Sequence, residues 1–339
     1  MAESESLLGD AAGYLKYFFL RGTCGLVGRL PARVSHGMAV GVAEIAYRLS
    51  RRKRGVVYEN MRRVVPEGTP RKWRSLARRS FHNYGRYWVD FLRCYHLSFE
   101  EIYGGMVVPH GVEWFDECLR RKRGVILALP HYGSWDIQGG WVGHNYPNLW
   151  AVAEQLKPRP MYEFHTELRR RMGIGIIPLG EGTVEEVIKI LMGNGMVCLL
   201  SDRLIAGSGV EVEFFGERIE MPIGPALLAV KLGTAVLPCL TIRKDGSYHG
   251  YVGPPLEVEV TGDTRRDVQV NTQRLARVFE DFIRQDPTQW HMFQPIFKNN
   301  SGHGGQVFDC GFFEKCYQIW GSGLRLWIFK RCSLLWKLL

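Results

Sequence analysis

The sequence predicts an α/β fold: a mixed, largely parallel central sheet flanked by helices, preceded by N-terminal amphipathic helices suited to a membrane surface. Three observations carry that expectation. From about residue 105, short apolar runs alternate with helix-length segments. One run, Val125–Leu129, is apolar without interruption, as in a strand covered on both faces. The first hundred residues instead repeat apolar and basic residues at helical spacing.

A chain of 339 residues can bury a full core, and 46% hydrophobic with 23% charged residues is the composition of a globular protein. The net charge of +10 calls for an anionic partner, a nucleic acid or an acidic membrane surface. Eight cysteines, at 24, 94, 118, 198, 239, 310, 316 and 332, form no C-x-x-C pair or zinc spacing and read as free thiols in a reducing compartment. The acidic start, MAESES, lacks the parts of a secretory signal.

In chain order, Tyr14 to Leu30 is rich in aromatic and aliphatic residues but is broken by Lys16, Arg21 and Arg29. That pattern fits an interfacial helix with snorkelling cations better than a membrane-spanning one; a helix packed into the core is the other reading. Residues 36–50 form a second short helix. Next come Arg51, Arg52, Lys53 and Arg54, then Arg62, Arg63, Arg71, Lys72, Arg74, Arg78 and Arg79, followed by Phe81, Tyr84, Tyr87 and Trp88. Basic residues with aromatic neighbours suit phospholipid headgroups, and the composition alone also suits RNA. No helix-turn-helix, zinc-finger or RNP pattern accompanies them, so an anionic membrane surface is favoured over nucleic acid, and about half of these charges read as an ordinary solvated face.

Beyond Val125–Leu129 the pattern reads as a strand near 149–152, a helix 161–172, a strand 175–178, a helix 184–193 and a strand 196–200. A hairpin, 210–215 with 218–221, leads to a helix 224–233, entered at Gly224-Pro225, and a strand 235–242.

The chemical centre falls in Gly124–Gly140, GVILALPHYGSWDIQGG. The strand stops at Pro130, and His131 stands at its carboxyl end, where open α/β sheets bind ligands. Gly133 and Pro130 make the turn sharp, Ser134 is a natural N-cap, and Asp136 lies in the first helical turn. Asp136 is either a charge suited to the helix dipole or the carboxylate that fixes the His131 tautomer, letting the imidazole take a proton from a hydroxyl. There is no G-x-S-x-G elbow, phosphate loop, H-E-x-x-H helix or G-x-G-x-x-G fingerprint. With no activated Ser or Cys in a recognisable setting, direct transfer to a hydroxyl supplied by the substrate is the expected chemistry, with no metal site.

His131-Tyr-Gly-Ser-Trp-Asp136 is an H-x4-D box. It is followed by Ala153-Glu-Gln-Leu-Lys157, Arg169, Asp202-Arg203, Gly209-Val-Glu-Val-Glu-Phe-Phe-Gly216, Met221-Pro-Ile-Gly-Pro-Ala-Leu-Leu-Ala229 and Trp290-His-Met-Phe-Gln-Pro295, and preceded by Tyr84-Gly-Arg-Tyr-Trp88. In this order, over roughly residues 10–297, the chain resembles the lipid A lauroyl/myristoyl acyltransferases of the glycerolipid acyltransferase superfamily, particularly the phosphatidylinositol mannoside acyltransferases. The resemblance implies a glycerolipid acyltransferase-like core that moves a fatty acyl group from an acyl thioester, acyl-CoA or acyl carrier protein, to a hydroxyl of a membrane glycolipid. No bound cofactor is implied. The site would lie at the cytoplasmic face of the inner membrane, on a peripheral or monotopic protein.

The same resemblance assigns His131 as general base with Asp136 supporting it, and Glu211 as a second catalytic acidic residue with Asp202 also eligible. Arg169, Asp202 and Arg203 fall to substrate binding. Glu211 also reads as part of an ordinary half-exposed strand, and Asp202 as the start of a loop. A non-catalytic membrane- or RNA-binding protein on the same scaffold, or a lipid thioesterase, are the alternatives. His82, His110, His144, His165 and His291 read as structural or surface groups.

Three regions are expected: 1–104, helical, basic and membrane-associating; 105–297, the catalytic core; and 298–339, a Gly-rich join with a basic amphipathic tail that extends past the usual end of the family.

Overall fold

The computed structural model describes residues 2–103, 107–205 and 207–297. The expected tail helix within 298–339, with Cys310, Cys316 and Cys332, lies outside the described residues.

Helices lead the chain: α1 (Ala2–Val27), α2 (Ala32–Leu49), α3 (Arg51–Val64), α4 (Pro70–Arg93) and the short α5 (Phe99–Tyr103). The expected first helix, 14–30, thus begins twelve residues earlier and stops at Val27. The basic 51–54 block opens α3. Helix α4 starts where Thr69 accepts a hydrogen bond from the Lys72 amide and Pro70 takes the first turn, the expected chemistry of a helix N-terminus. Ala43, Val57, Met61, Ala77 and Phe81 make a separate small core between α2, α3 and α4.

The remaining elements are β1 (Val107–His110), α6 (Glu113–Arg120), β2 (Val125–Leu129), α7 (Trp135–Asn145), β3 (Leu149–Ala153), α8 (Arg159–Arg171), β4 (Gly175–Pro178), α9 (Thr183–Met192), β5 (Met196–Leu200), β6 (Gly209–Phe214), β7 (Glu217–Pro222), α10 (Gly224–Leu232), β8 (Ala235–Lys244), β9 (Ser247–Val252) and α11 (Thr264–Gln285). Seven strands form one sheet in the order β1-β9-β8-β2-β5-β3-β4. Its pairs are parallel except β8 with β9, and the hairpin β6–β7 stands apart from it.

The sheet is therefore mixed and largely parallel, as the alternation predicts. Edge strand β1 carries Pro109, which a strand paired on one side tolerates, and β9 contains Gly250 and His249. Neither has the apolar run that reveals an inner strand.

Strand β2 is buried along its whole length between β8 and β5. Val125, Leu127 and Leu129 point into a core shared with Phe91, Val142 and Leu168, whereas Ile126 and Ala128 point into one shared with Leu191, Ala229 and Phe279. This two-residue alternation between two cores is why no polar residue interrupts the strand.

Candidate active site

The site lies beyond the carboxyl ends of β2 and β5, which run parallel with Leu129 opposite Leu200. His131 and Asp202 each lie two residues past that pair, so equal register brings them side by side. Asp202 Oδ1 sits 2.6 Å from His131 Nδ1, and its Oδ2 accepts from the His131 amide at 2.9 Å. The Trp290 indole Nε1 donates to the same Oδ2 at 2.9 Å. Asp202 is fully buried. Burial alone would raise its carboxyl, but the neighbouring imidazole and the hydrogen bonds from His131 and Trp290 outweigh it and hold the group below the usual carboxylate range.

The turn carrying His131 is held from the far end of the chain. The Gly133 amide donates to the Gln289 carbonyl at 2.9 Å, and the His291 amide donates to the His131 carbonyl at 2.7 Å. Tyr132 and Trp290 form an antiparallel bridge between these bonds. Gly133 has φ of 60°, and an added Cβ would lie 1.6 Å from the Thr241 carbonyl oxygen. The sharp turn therefore requires glycine both for its left-handed backbone and for the close approach of β8.

Asp136 does not meet the imidazole; the carboxylate on His131 is Asp202. Asp136 lies in the first turn of α7, rotated toward α4 and α8, where Arg169 Nε and a terminal nitrogen donate to it at 2.7 and 3.3 Å. The Tyr87 hydroxyl donates at 2.7 Å. Ser134 stands at the N-cap position, but its side chain makes no capping bond.

Burial works against the Arg169 charge, yet the Asp136 carboxylate more than offsets it and raises the guanidinium above its ordinary range. Burial, with Asp136 adding, pushes the Tyr87 phenol well up. Two of the expected site residues, Asp136 and Arg169, are thus brought together as a buried pair.

Glu211 lies on the exposed face of the β6–β7 hairpin, paired with Arg218 at 3.0 Å. No bond joins it to His131 among the described residues, because alternation along β6 turns Val212 and Phe214 inward and Glu211 outward. Arg203 follows Asp202 directly, with its Nε buried and without a hydrogen-bond partner among the described residues.

Of the histidines set aside, His291 reaches the site. Burial pulls its imidazole down to about 3, and its Nδ1 has no partner among the described residues. His165, stacked on Phe91, is pulled down to about 4 by burial and then by Arg169. The order of residues held a usable signal for His291 and Trp290, since both lie in the closing WHMFQP stretch. Their distance of some 160 residues from His131 in sequence hid the contact.

The Cys198 thiol, within β5, is pushed up to about 12 by burial and by the Asp136 charge, so it is protonated at neutral pH and a poor nucleophile. The five described cysteines are all free thiols. Among the described residues, no group of three or more His, Cys, Asp or Glu could hold a metal ion.

An apolar cavity of about 380 Å³ is lined by Phe19, Leu20, Trp88, Leu156, Lys157, Met161 and His165. His165 in its lining feels the charges of Arg169 and Asp136, so the cavity lies beside the Asp136 cluster. No helix among the described residues is long and apolar enough to cross a membrane. Helix α2 exposes Val34, Met38, Val42, Ile45 and Leu49 along one side, and α1 exposes Leu15, Phe18 and Phe19.

The profile of the family described as bacterial lipid A biosynthesis acyltransferase matches residues 9–299. Curated relatives agree. A phosphatidylinositol mannoside acyltransferase of Mycolicibacterium smegmatis is 34% identical over 272 residues, 79% of this chain and 88% of that protein. One of Mycobacterium tuberculosis is 36% identical over 220 residues, 64% of this chain and 68% of that protein.

Proposed function

Because the chain belongs to the bacterial lipid A biosynthesis acyltransferase family, we propose that it moves a fatty acyl group from a thioester to a hydroxyl of a membrane glycolipid, with His131 as general base. The observation that carries this reading is the His131 Nδ1 to Asp202 Oδ1 bond of 2.6 Å at the carboxyl end of the central strand. An ionised Asp202 keeps the imidazole proton on Nδ1 and leaves Nε2 with its lone pair. Nε2 takes the acceptor hydroxyl's proton as the oxygen attacks the thioester carbon. The carbon–sulfur bond then breaks, and the imidazolium returns the proton to the departing thiolate.

Arg203, with its buried and unpartnered Nε, is assigned to an oxygen of the substrate. Arg169 bonds Asp136 through two of its donors and offers its remaining N–H groups to a phosphate on the acceptor. Asp136 keeps that guanidinium in place. The cavity near Trp88 and Met161 is the size and polarity of a site for the acyl chain. Acyl-CoA and acyl carrier protein both present such a thioester, and the relatives' names point to a phosphatidylinositol mannoside as acceptor. The apolar stripes of α1 and α2, beside exposed Arg51, Arg52 and Lys53, seat the protein peripherally on an anionic bilayer at the cytoplasmic face of the inner membrane.

The test is transfer of label from a radioactive palmitoyl thioester to lipid in vesicles containing phosphatidylinositol mannosides. Acylated glycolipid from the native protein, and none from folded His131→Ala, is the expected result. Free fatty acid in place of acylated lipid is the signature of a thioesterase, and an untouched thioester that of a binding protein. Either overturns the assignment.

A further inference from the structure

We propose that Trp290 is a positioning residue of the active centre: its indole N–H holds Asp202 so that one carboxylate oxygen faces His131 Nδ1, and thereby sets how strongly the imidazole takes a proton. The inference rests on the reading of His131 as general base and adds a third group to it. Trp290 lies 88 residues beyond Asp202 and is 1% exposed.

The geometry divides the work of the carboxylate between its two oxygens. Oδ1 faces the ring Nδ1 at 2.6 Å, while Oδ2 accepts from the His131 amide and the Trp290 indole, both at 2.9 Å. A carboxylate held by only one of these donors can rotate about its Cβ–Cγ bond and present either oxygen, or neither, to the imidazole. Two donors on Oδ2 remove that freedom.

The indole itself cannot swing away. Phe214 and Phe215 of the hairpin lie against it with ring centroids 6.0 and 5.9 Å distant, and its own backbone is bridged to Tyr132. The same strap that fixes the turn at Gly133 and His131 thus carries the donor that fixes the carboxylate. An aromatic residue chosen only to fill the space behind the hairpin would not need a nitrogen aimed at Asp202.

The direction of the electrostatic effect follows from charge sharing. A donor on Oδ2 draws negative charge from the carboxylate, so it weakens the stabilisation of a positive imidazole. Removing that donor makes His131 a stronger base, which binds its proton up to a higher pH. The titratable groups that act on His131 are Asp202 beyond β5 and His291 on the strap, and Arg203, next to Asp202 in the chain, adds a constant positive charge. His291 is held neutral by burial and so does not mask the change.

The experiment replaces Trp290 with 3-benzothienylalanine, which keeps the bicyclic shape but has sulfur in place of N–H, alongside Trp290→Phe. The His131 pKa is read by NMR of selectively labelled imidazole in the full chain, and the pH dependence of kcat by the thioester assay. Near-UV circular dichroism and the thermal midpoint report the fold.

For the isosteric variant we expect an unchanged fold, a His131 pKa raised by about half a unit or more, and an acid limb of kcat displaced upward with it. Its kcat should fall roughly tenfold to a hundredfold, the scale of one hydrogen bond to a charged group, with KM little altered. A benzothienyl variant with the native His131 pKa and native kcat overturns the proposal, even if Trp290→Phe is inactive, because the latter then reports packing alone. The NMR titration is independent of turnover. A shifted His131 in a protein that acylates no lipid leaves Trp290 in its role and overturns the acyltransferase reading instead.

Discussion

Asp202 Oδ1 and His131 Nδ1 lie 2.6 Å apart because their strands are parallel neighbours in matched register, Leu129 opposite Leu200. The pair is thus a product of sheet topology, and it holds an imidazole that keeps 14% of its side-chain surface exposed against a carboxylate that has none. The chemistry and the packing around it generate the following expectations.

Replacing the carboxylate should cost activity more than structure. Asp202→Asn keeps shape but presents an amide that can favour the wrong imidazole tautomer, so kcat should fall roughly a hundredfold to ten-thousandfold. Glu211→Gln, altering an exposed hairpin residue paired with Arg218, should leave kcat within about twofold. Parallel kinetics of the two variants decide between the acidic candidates, and equal losses would place Glu211 in the chemistry too.

The Asp136–Arg169 pair is largely buried, with side-chain exposures of 3% and 19%. Removing one partner leaves an uncompensated charge, so Asp136→Asn and Arg169→Met should each destabilise by about 3–5 kcal/mol. The double variant Asp136→Leu, Arg169→Met should recover much of that loss while staying inactive. Urea unfolding of the three proteins measures it. Additive losses in the double variant would show that the two groups act separately.

Two glycines with left-handed backbone separate strain from collision. Gly216 has φ of 77° and nothing near a Cβ, so Gly216→Ala should cost about 1 kcal/mol. Gly133→Ala meets the Thr241 carbonyl as well, and should prevent folding or displace His131. Comparing soluble yield and thermal midpoint checks this; a stable, active Gly133→Ala protein would mean that β8 lies farther from the turn.

Stability should fall as the solution is acidified from neutrality. His165 titrates near 6.5 when unfolded but is held down to about 4 by burial and Arg169 in the fold. Between those values the unfolded chain binds a proton that the native state refuses. Stability is therefore lost as pH drops through that window, by about 1.4 kcal/mol per unit for a fully buried group. His165→Phe should flatten the dependence between pH 6 and pH 4.5 in urea titrations, whereas an unchanged slope would show that His165 takes up its proton in the native state.

The exposed stripe on α2 should govern vesicle binding. Met38 and Val42 are 45% and 62% exposed, so Met38→Glu with Val42→Glu should leave the thermal midpoint nearly unchanged. It should also reduce sedimentation with anionic vesicles about tenfold or more. Undiminished binding would move the membrane contact to another face.

Local signals made much of the architecture readable. Val125–Leu129 declared a strand buried on both faces because each of its residues enters one of two cores, and Gly133 after Pro130 declared a sharp turn. The presence of His131 at a strand's carboxyl end followed from the same local reading. Strands β1 and β9 escaped it because neither has an apolar run: β1, at the edge, tolerates Pro109, and β9, paired with β1 and β8, carries His249 and Gly250.

The choice of partner for His131 was not local. Asp136, five residues away, lies nearby in sequence, but the first turn of α7 rotates it to Arg169 and Tyr87. Asp202 lies 71 residues beyond His131 and Trp290 a further 88 beyond Asp202, and they arrive through strand register and a closing strap. By itself the sequence determined which segments become strands and helices and which residue types stand where chemistry is possible, since periodicity and turn chemistry act over a few residues. Only the tertiary structure decided which carboxylate meets the imidazole, because that depends on the lateral order and register of strands, and neither leaves a trace in local pattern.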